Sequence, residues 1–233
     1  MPARARGLAL LLAPILLAIA SAPAPPETPS ALASDPSGWI DLLADAGPDL
    51  KGWTRCPWPG GQALAAESPW SFDPATGLLT CRGDAAGHEW LRLDREIGDA
   101  IFHVEWAYVP SPSVKPGRYN SGIYVRNSAD ANFWHQAQAG DGSGGYLFGD
   151  SPVGGKRTRV NLSKEMLDKR VRPAGEWNTF EVTCRGGDLT LWTNGAATSR
   201  WMGCEVPRGH VGLEAEGYRI TFRNLKLKPI GPG

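Results

Sequence analysis

The sequence lacks a net charge, since 24 Lys and Arg balance 24 Asp and Glu, and it has no basic stripe interleaved with aromatic residues. Nucleic acid is therefore not an expected partner. Cysteine is limited to Cys56, Cys81, Cys184 and Cys204, and none of these falls in a CxxC spacing. That argues against a thiolate metal cluster. There is also no Ser-His-Asp order, HExxH, phosphate loop or dinucleotide fingerprint, which removes the familiar routes to triad, zincin and nucleotide-dependent chemistry. Helical periodicity is scarce along most of the chain.

The N-terminus carries Arg4 and Arg6, then an apolar run from Gly7 to Ala20 with alanines at positions 18 and 20. This pattern predicts a signal peptide over residues 1–20 and export to the periplasm or the medium. Pro14 interrupts the run, which falls short of the roughly 20 residues that cross a bilayer. No cysteine follows to carry a lipid anchor, so no membrane span is expected after signal removal. Pro23 to Pro36 is rich in Pro, Ala and Ser, and residues 21–36 are expected to form a linker. The remaining 37–230, about 195 residues, fits one all-β domain. In an oxidising compartment four cysteines favour disulfides, and the sequence-local pairs Cys56 with Cys81 and Cys184 with Cys204 are the first choice of three connectivities.

Short alternating runs bounded by Gly, Pro, Asn and Asp predict strands at 78–82, 90–93, 101–109, 121–126, 133–138, 179–184, 188–193, 209–215 and 218–227. Asn194-Gly195 is a strong hairpin signal. Two short helices are expected, over 39–43 and 163–170. The Gly-rich insert 140–173 is expected to be a functional loop. Period-two geometry places Phe102, Val104, Trp106 and Tyr108 on one face and His103 and Glu105 on the other. The first face is core. The second suits a polar outer surface on one of two packed sheets.

The order of short motifs resembles the 3-keto-disaccharide hydrolase domain family: IFHVEW (101–106), NSGIYVR (120–126), QAQ (136–138), GYLFG (145–149), GEWNT (175–179), WTNG (192–195), HVGL (210–213) and FRNL (222–225). The resemblance implies a concanavalin A-like jelly-roll sandwich of two antiparallel sheets with one concave polar face. It also implies action on 3-keto-glycosides, as a 3-keto-glucoside 1,2-lyase or a 3-keto-2-hydroxy-glucal hydratase. A ketone at C3 acidifies the C2 proton, so a base removes it, the enediolate expels the C1 oxygen, and hydration of the enone completes a net hydrolysis. This route needs a base, an acid and donors or a cation for the enediolate. It does not need the carboxylate pair of ordinary glycosidases.

Four residues are the catalytic candidates. Arg126, ending its motif, is expected to donate to the keto or enediolate oxygen. Glu105 is a candidate base or metal ligand, with Arg126 as its expected neighbour across the sheet. His135, with a side chain suited to proton transfer near neutral pH, follows Trp134. Glu214 stands where the family often has glutamine, and Glu216 where histidine is common. Gln136 stands where the family often has glutamate, so either the carboxylate has moved to the neighbouring strand or the site is inactive. Asn120, Trp134, Gln138, Tyr146 and Lys156 are candidate carbohydrate-binding residues. His88, in an expected turn, is given no role. A divalent metal is the one cofactor this chemistry admits, and the sequence names no ligand set for it. A lectin-like carbohydrate-binding module on the same face is the alternative to an enzyme.

Overall fold

The computed structural model describes residues 26–58, 63–83 and 88–231. The expected signal peptide lies outside the described residues. Among those residues no helix is long and apolar enough to cross a membrane. The described residues hold one helix, α1 (Ala31–Ser34), and begin their strands with β1 (Ile40–Asp41), β2 (Trp53–Pro57), β3 (Trp70–Asp73), β4 (Leu78–Cys81) and β5 (Glu89–Leu93). They continue with β6 (Ala100–Tyr108), β7 (Gly122–Asn127), β8 (Trp134–Gln138), β9 (Leu147–Val153) and β10 (Lys156–Asn161). The last third holds β11 (Asn178–Arg185), β12 (Asp188–Thr193), β13 (Ala196–Trp201), β14 (His210–Ala215) and β15 (Ile220–Pro229).

These strands form two antiparallel sheets. One has the order β13-β12-β11-β6-β15-β4-β3, with β1 also paired to β15, and the other the order β10-β9-β8-β7-β14-β5-β2. The sheets bury their apolar faces against each other: Phe102, Val104, Trp106, Phe180 and Val182 from the first meet Ile123, Val125, Ala137 and Leu213 from the second. The expected core face of β6 is therefore the observed one. Asn194 and Gly195 both have positive φ, 43° and 107°, and close the hairpin between β12 and β13. Both central residues of a type I′ turn need that conformation.

Three expectations are corrected. The insert 140–173 contains the hairpin β9–β10, whose exposed outer strand, Lys156 to Asn161, carries Lys156, Arg157 and Arg159. Charge on an edge strand blocks pairing with other chains and conceals the strand from a reading by hydrophobic alternation. No helix forms at 39–43 or 163–170. Ile40–Asp41 instead pairs with β15, and Leu42 and Leu43 enter the core. One helical turn has too few hydrogen bonds to offset nucleation, so tertiary contacts decide.

The expected linker is docked on the outer face of the larger sheet, at least from residue 26. Thr28 N donates to Gly195 O at 2.6 Å, and Trp192 Nε1 donates to Thr28 Oγ1 at 3.0 Å. The Glu181 carboxylate accepts from Ala31 N at 2.6 Å and Leu32 N at 3.0 Å. Those donors are the otherwise unmatched N–H groups of the α1 terminus.

None of the four cysteines is in a disulfide. Cys56 lies beside the aromatic outer face of the smaller sheet, whereas Cys81 is in the core on β4 of the larger one, so that expected pair faces opposite ways. Cys184 and Cys204 are both buried; Cys204 Sγ lies 3.4 Å from His135 Nε2. Burial pushes the Cys184 thiol up to about 12.

Candidate active site

The outer face of the smaller sheet carries an aromatic floor. Trp90, Tyr124 and Trp134 are buried there, with Trp58, Cys56 and Phe148 packed against them. Two glycines permit the arrangement: a Cβ at Gly212 would collide with the Trp90 ring, and one at Gly122 with the Gln136 side chain. Trp58 stacks on both His88 and Tyr124, at 5.0 and 5.2 Å between ring centres, and meets Trp134 edge-on at 5.3 Å.

Beside this floor Glu214 is the centre of a polar network. Its Oε1 lies 2.6 Å from His88 Nε2 and accepts from Tyr124 OH at 2.6 Å. Its Oε2 accepts from Gln136 Nε2 at 3.0 Å. Gln136 also donates to Gln138 Oε1 at 3.2 Å, Gln138 donates to Asn120, and Asn120 donates to Glu216. One ligand atom from each of His88, Glu214 and Glu216 lies within 4.8 Å of the others.

Burial, and then the neighbouring Glu214 carboxylate, raise Glu216 to about 7. Burial alone would lower His88, but the hydrogen bond and charge of Glu214 outweigh it and raise the imidazole. Burial and the Glu214 charge hold Tyr124 well above its ordinary value, so it stays a donor to that carboxylate. One imidazole nitrogen and two carboxylates also make a donor set that fits a divalent cation.

The structure brings Glu214, Asn120, Trp134 and Gln138 together and separates them from the other candidates. Tyr146 is half-buried at the rim, 5.7 Å from Phe148. Glu105 faces outward as expected, but from the other sheet: it pairs with Arg223 at 2.7 Å, accepts from Asn224 at 2.7 Å and is held at about 2, chiefly by His103. Its expected neighbour Arg126 bonds Asp99 at 2.8 Å and the carbonyls of Gly186 and Val206 at 2.7 and 3.1 Å. The cause is a β-bulge. Arg126 has φ 52°, opposite a register shift between His210 and Gly212, which breaks the alternation running outward through Tyr124.

His135 follows Trp134 by one residue and so faces the opposite way. Its Nε2 lies 3.0 Å from Ser151 Oγ, its ring packs on Trp201, and burial depresses it to about 4. Lys156 is likewise out of phase. Arg159 lies over the Trp134 ring at 5.0 Å and pairs, with Arg157, with Asp150, while Lys156 is exposed on the alternate face. Sequence reasoning missed His88, Tyr124 and Trp58 as site residues. Tyr124 was legible, since it shares outward parity with Gly122 on a strand whose Ile123 and Val125 are core. His88 and Trp58 were not, because they lie outside the regular strands.

A profile of the 3-keto-alpha-glucoside-1,2-lyase-like domain matches residues 38–228. Compared by sequence with curated proteins, the chain finds no match. Among solved structures it is similar to a carbohydrate binding module from Bacillus subtilis, with a TM-score of 0.54, 13% identity, and 76% of this chain and 95% of that one covered. It is also similar to a protein from Parabacteroides distasonis provisionally described as a glycosyl hydrolase, with a TM-score of 0.53, 15% identity, and 89% and 100% covered. A Bacillus licheniformis β-glucanase shares the fold at a TM-score of 0.50 and 10% identity, with 84% and 100% covered. At these identities the shared property is the sandwich fold, which hosts both binding and catalysis. The profile spans nearly all of the folded part, and the chain belongs to the 3-keto-alpha-glucoside-1,2-lyase-like domain family.

Proposed function

We propose that this protein is an exported lyase or hydrolase that cleaves 3-keto-glycosides by C2 proton abstraction, elimination of the C1 oxygen and hydration. The observation that carries this reading is the convergence of His88, Glu214 and Glu216 beside an aromatic cluster on the outer face of the smaller sheet. Glu216 is the base at C2, since an acid near 7 is matched to proton transfer at neutral pH. His88, whose affinity for a proton Glu214 raises, gives its proton to the departing oxygen. Gln138 and Asn120 each keep a second amide N–H for the enediolate oxygens.

Glu214 holds His88 and Tyr124 in place. Its contact with Gln136 supports the carboxylate shift, because two touching side chains have exchanged amide and acid relative to the family pattern. A divalent cation held by His88, Glu214 and Glu216 would polarise the ketone, but it would occupy the imidazole nitrogen and the carboxylate oxygen used above, so these proton transfers belong to the metal-free site.

The test is incubation of the purified protein with a 3-keto-glucoside, with and without divalent metal, following enone absorbance and released aglycone. Turnover is expected. Carbohydrate binding without either signal would overturn the enzyme reading in favour of a binding module.

A further inference from the structure

Two cavities of about 370 and 520 Å³ adjoin at one end of the sandwich, where both are lined by Ser113, Val114 and Tyr218. Their walls come from two segments that lead directly into the site. The loop 109–121 delivers Asn120, and the turn at Gly217 follows Glu216. The Asn120–Glu216 hydrogen bond ties those segments together.

The groove is preformed. Ser111 N donates to Tyr119 OH at 2.7 Å, folding the loop back on itself, and the Tyr119 ring packs between Tyr108 and Tyr218 at 5.0 and 5.5 Å. Gly83 allows the Tyr218 backbone to close over it, since a Cβ there would collide with the Tyr218 carbonyl.

Its floor is apolar and aromatic, with Val109, Pro110, Val114 and Tyr218, but its rim is cationic. Lys115, Arg118 and Arg219 are exposed there and make no ion pair with a described carboxylate. Arg82, at the same rim, pairs with the highly exposed Glu67 at 3.5 Å and donates to Ser68 O at 3.1 Å. Cations without a described carboxylate partner around an apolar floor favour a ligand that is cyclic and anionic.

We propose that this groove is the aglycone subsite of the Glu214 site and selects an aglycone ring bearing a carboxylate. The inference rests on the lyase reading for the word aglycone, but its binding preference does not require turnover. The ring lies on Tyr218 and Val114, and the carboxylate faces Lys115, Arg118 and Arg219.

The experiment compares binding of 4-carboxyphenyl and phenyl glucosides, each as both anomers, to the full chain by calorimetry. The carboxylate ligand is expected to bind about tenfold more tightly at low salt, as two or three exposed ion pairs allow, and the preference to shrink at high salt. In the triple variant Lys115→Ala, Arg118→Ala, Arg219→Ala the ratio is expected to approach one. Equal affinities in the wild type, or a preference that survives the triple variant, would overturn the proposal. Turnover of the phenyl 3-keto-glucoside, measured alongside, reports separately on the lyase reading, so the two fail independently.

Discussion

At the scale of single residues, parity along a strand determines most of the site. Trp134, Gln136 and Gln138 share one parity on β8, the first in the aromatic cluster and the other two in the polar network, whereas His135 between them is core. Alternation was therefore sufficient to exclude His135, and chemical suitability was the misleading criterion. Arg126 could not be placed in this way. A bulge changes the parity after Tyr124, and a bulge has no sequence signature without glycine at its turning point. Arg126→Ala is expected to destabilise the domain by about 3 kcal/mol, since it leaves Asp99 without its cation and two carbonyls without their donor, and a denaturation curve measures that directly. A variant with wild-type stability but no activity would return Arg126 to the mechanism.

Glu216 gives a second test at this scale. Its folded value of about 7 lies above the ordinary carboxylate value of 4.5, so the folded state holds this proton more tightly than the unfolded chain does. Its contribution to stability is present below pH 4.5 and is lost as pH rises through 7. The melting temperature of wild type minus that of Glu216→Gln should accordingly fall between pH 5 and pH 8. A difference that rises over that range would show that the carboxylate is stabilised in the fold.

Elements show a different division. The strands of the hydrophobic core were legible because branched and aromatic residues alternate with polar ones, as in β6 and β12. The edge hairpin β9–β10 was not, because its outer strand is solvated and charged. The segment from residue 26 to α1 was concealed for another reason. Its own composition cannot order it, and its order comes from partners far away in sequence, chiefly Glu181. Glu181 also accepts from His103 Nδ1 at 2.8 Å, a buried carboxylate serving both an imidazole and a helix end. Glu181→Ala removes both backbone contacts, and charge-assisted bonds of this kind contribute about 2 kcal/mol each. Limited proteolysis should then cut within residues 26–36 at least tenfold faster than in the wild type, while the core strands stay protected. Unchanged cutting would mean that the contacts of Thr28 and Trp192 suffice.

At the scale of the whole molecule, the sandwich has two outer faces of different character. One carries the candidate site. The other, on the larger sheet, is covered by the N-terminal segment and carries Glu105 in a network with His103 and Arg223. Sequence patterning placed Glu105 on an outer face but could not say which sheet carried it, because strand order depends on long-range pairing: β6 lies between β11 and β15, and β14, with Glu214, between β7 and β5. Family resemblance supplied the fold and the chemistry. Topology decided which carboxylate accompanies the aromatic floor.

The central claim is that C2 proton abstraction takes place on the face of the smaller sheet. The most direct measurement is loss of the C2 proton of a 3-keto-glucoside in D2O, followed by NMR, for wild type, Glu214→Gln, Glu216→Gln and Glu105→Gln. The account predicts at least a hundredfold slower exchange in the first two variants, on the scale of removing a positioned acid–base group, and a wild-type rate in Glu105→Gln. Full exchange in both Glu214→Gln and Glu216→Gln, or its loss in a folded Glu105→Gln, would contradict it.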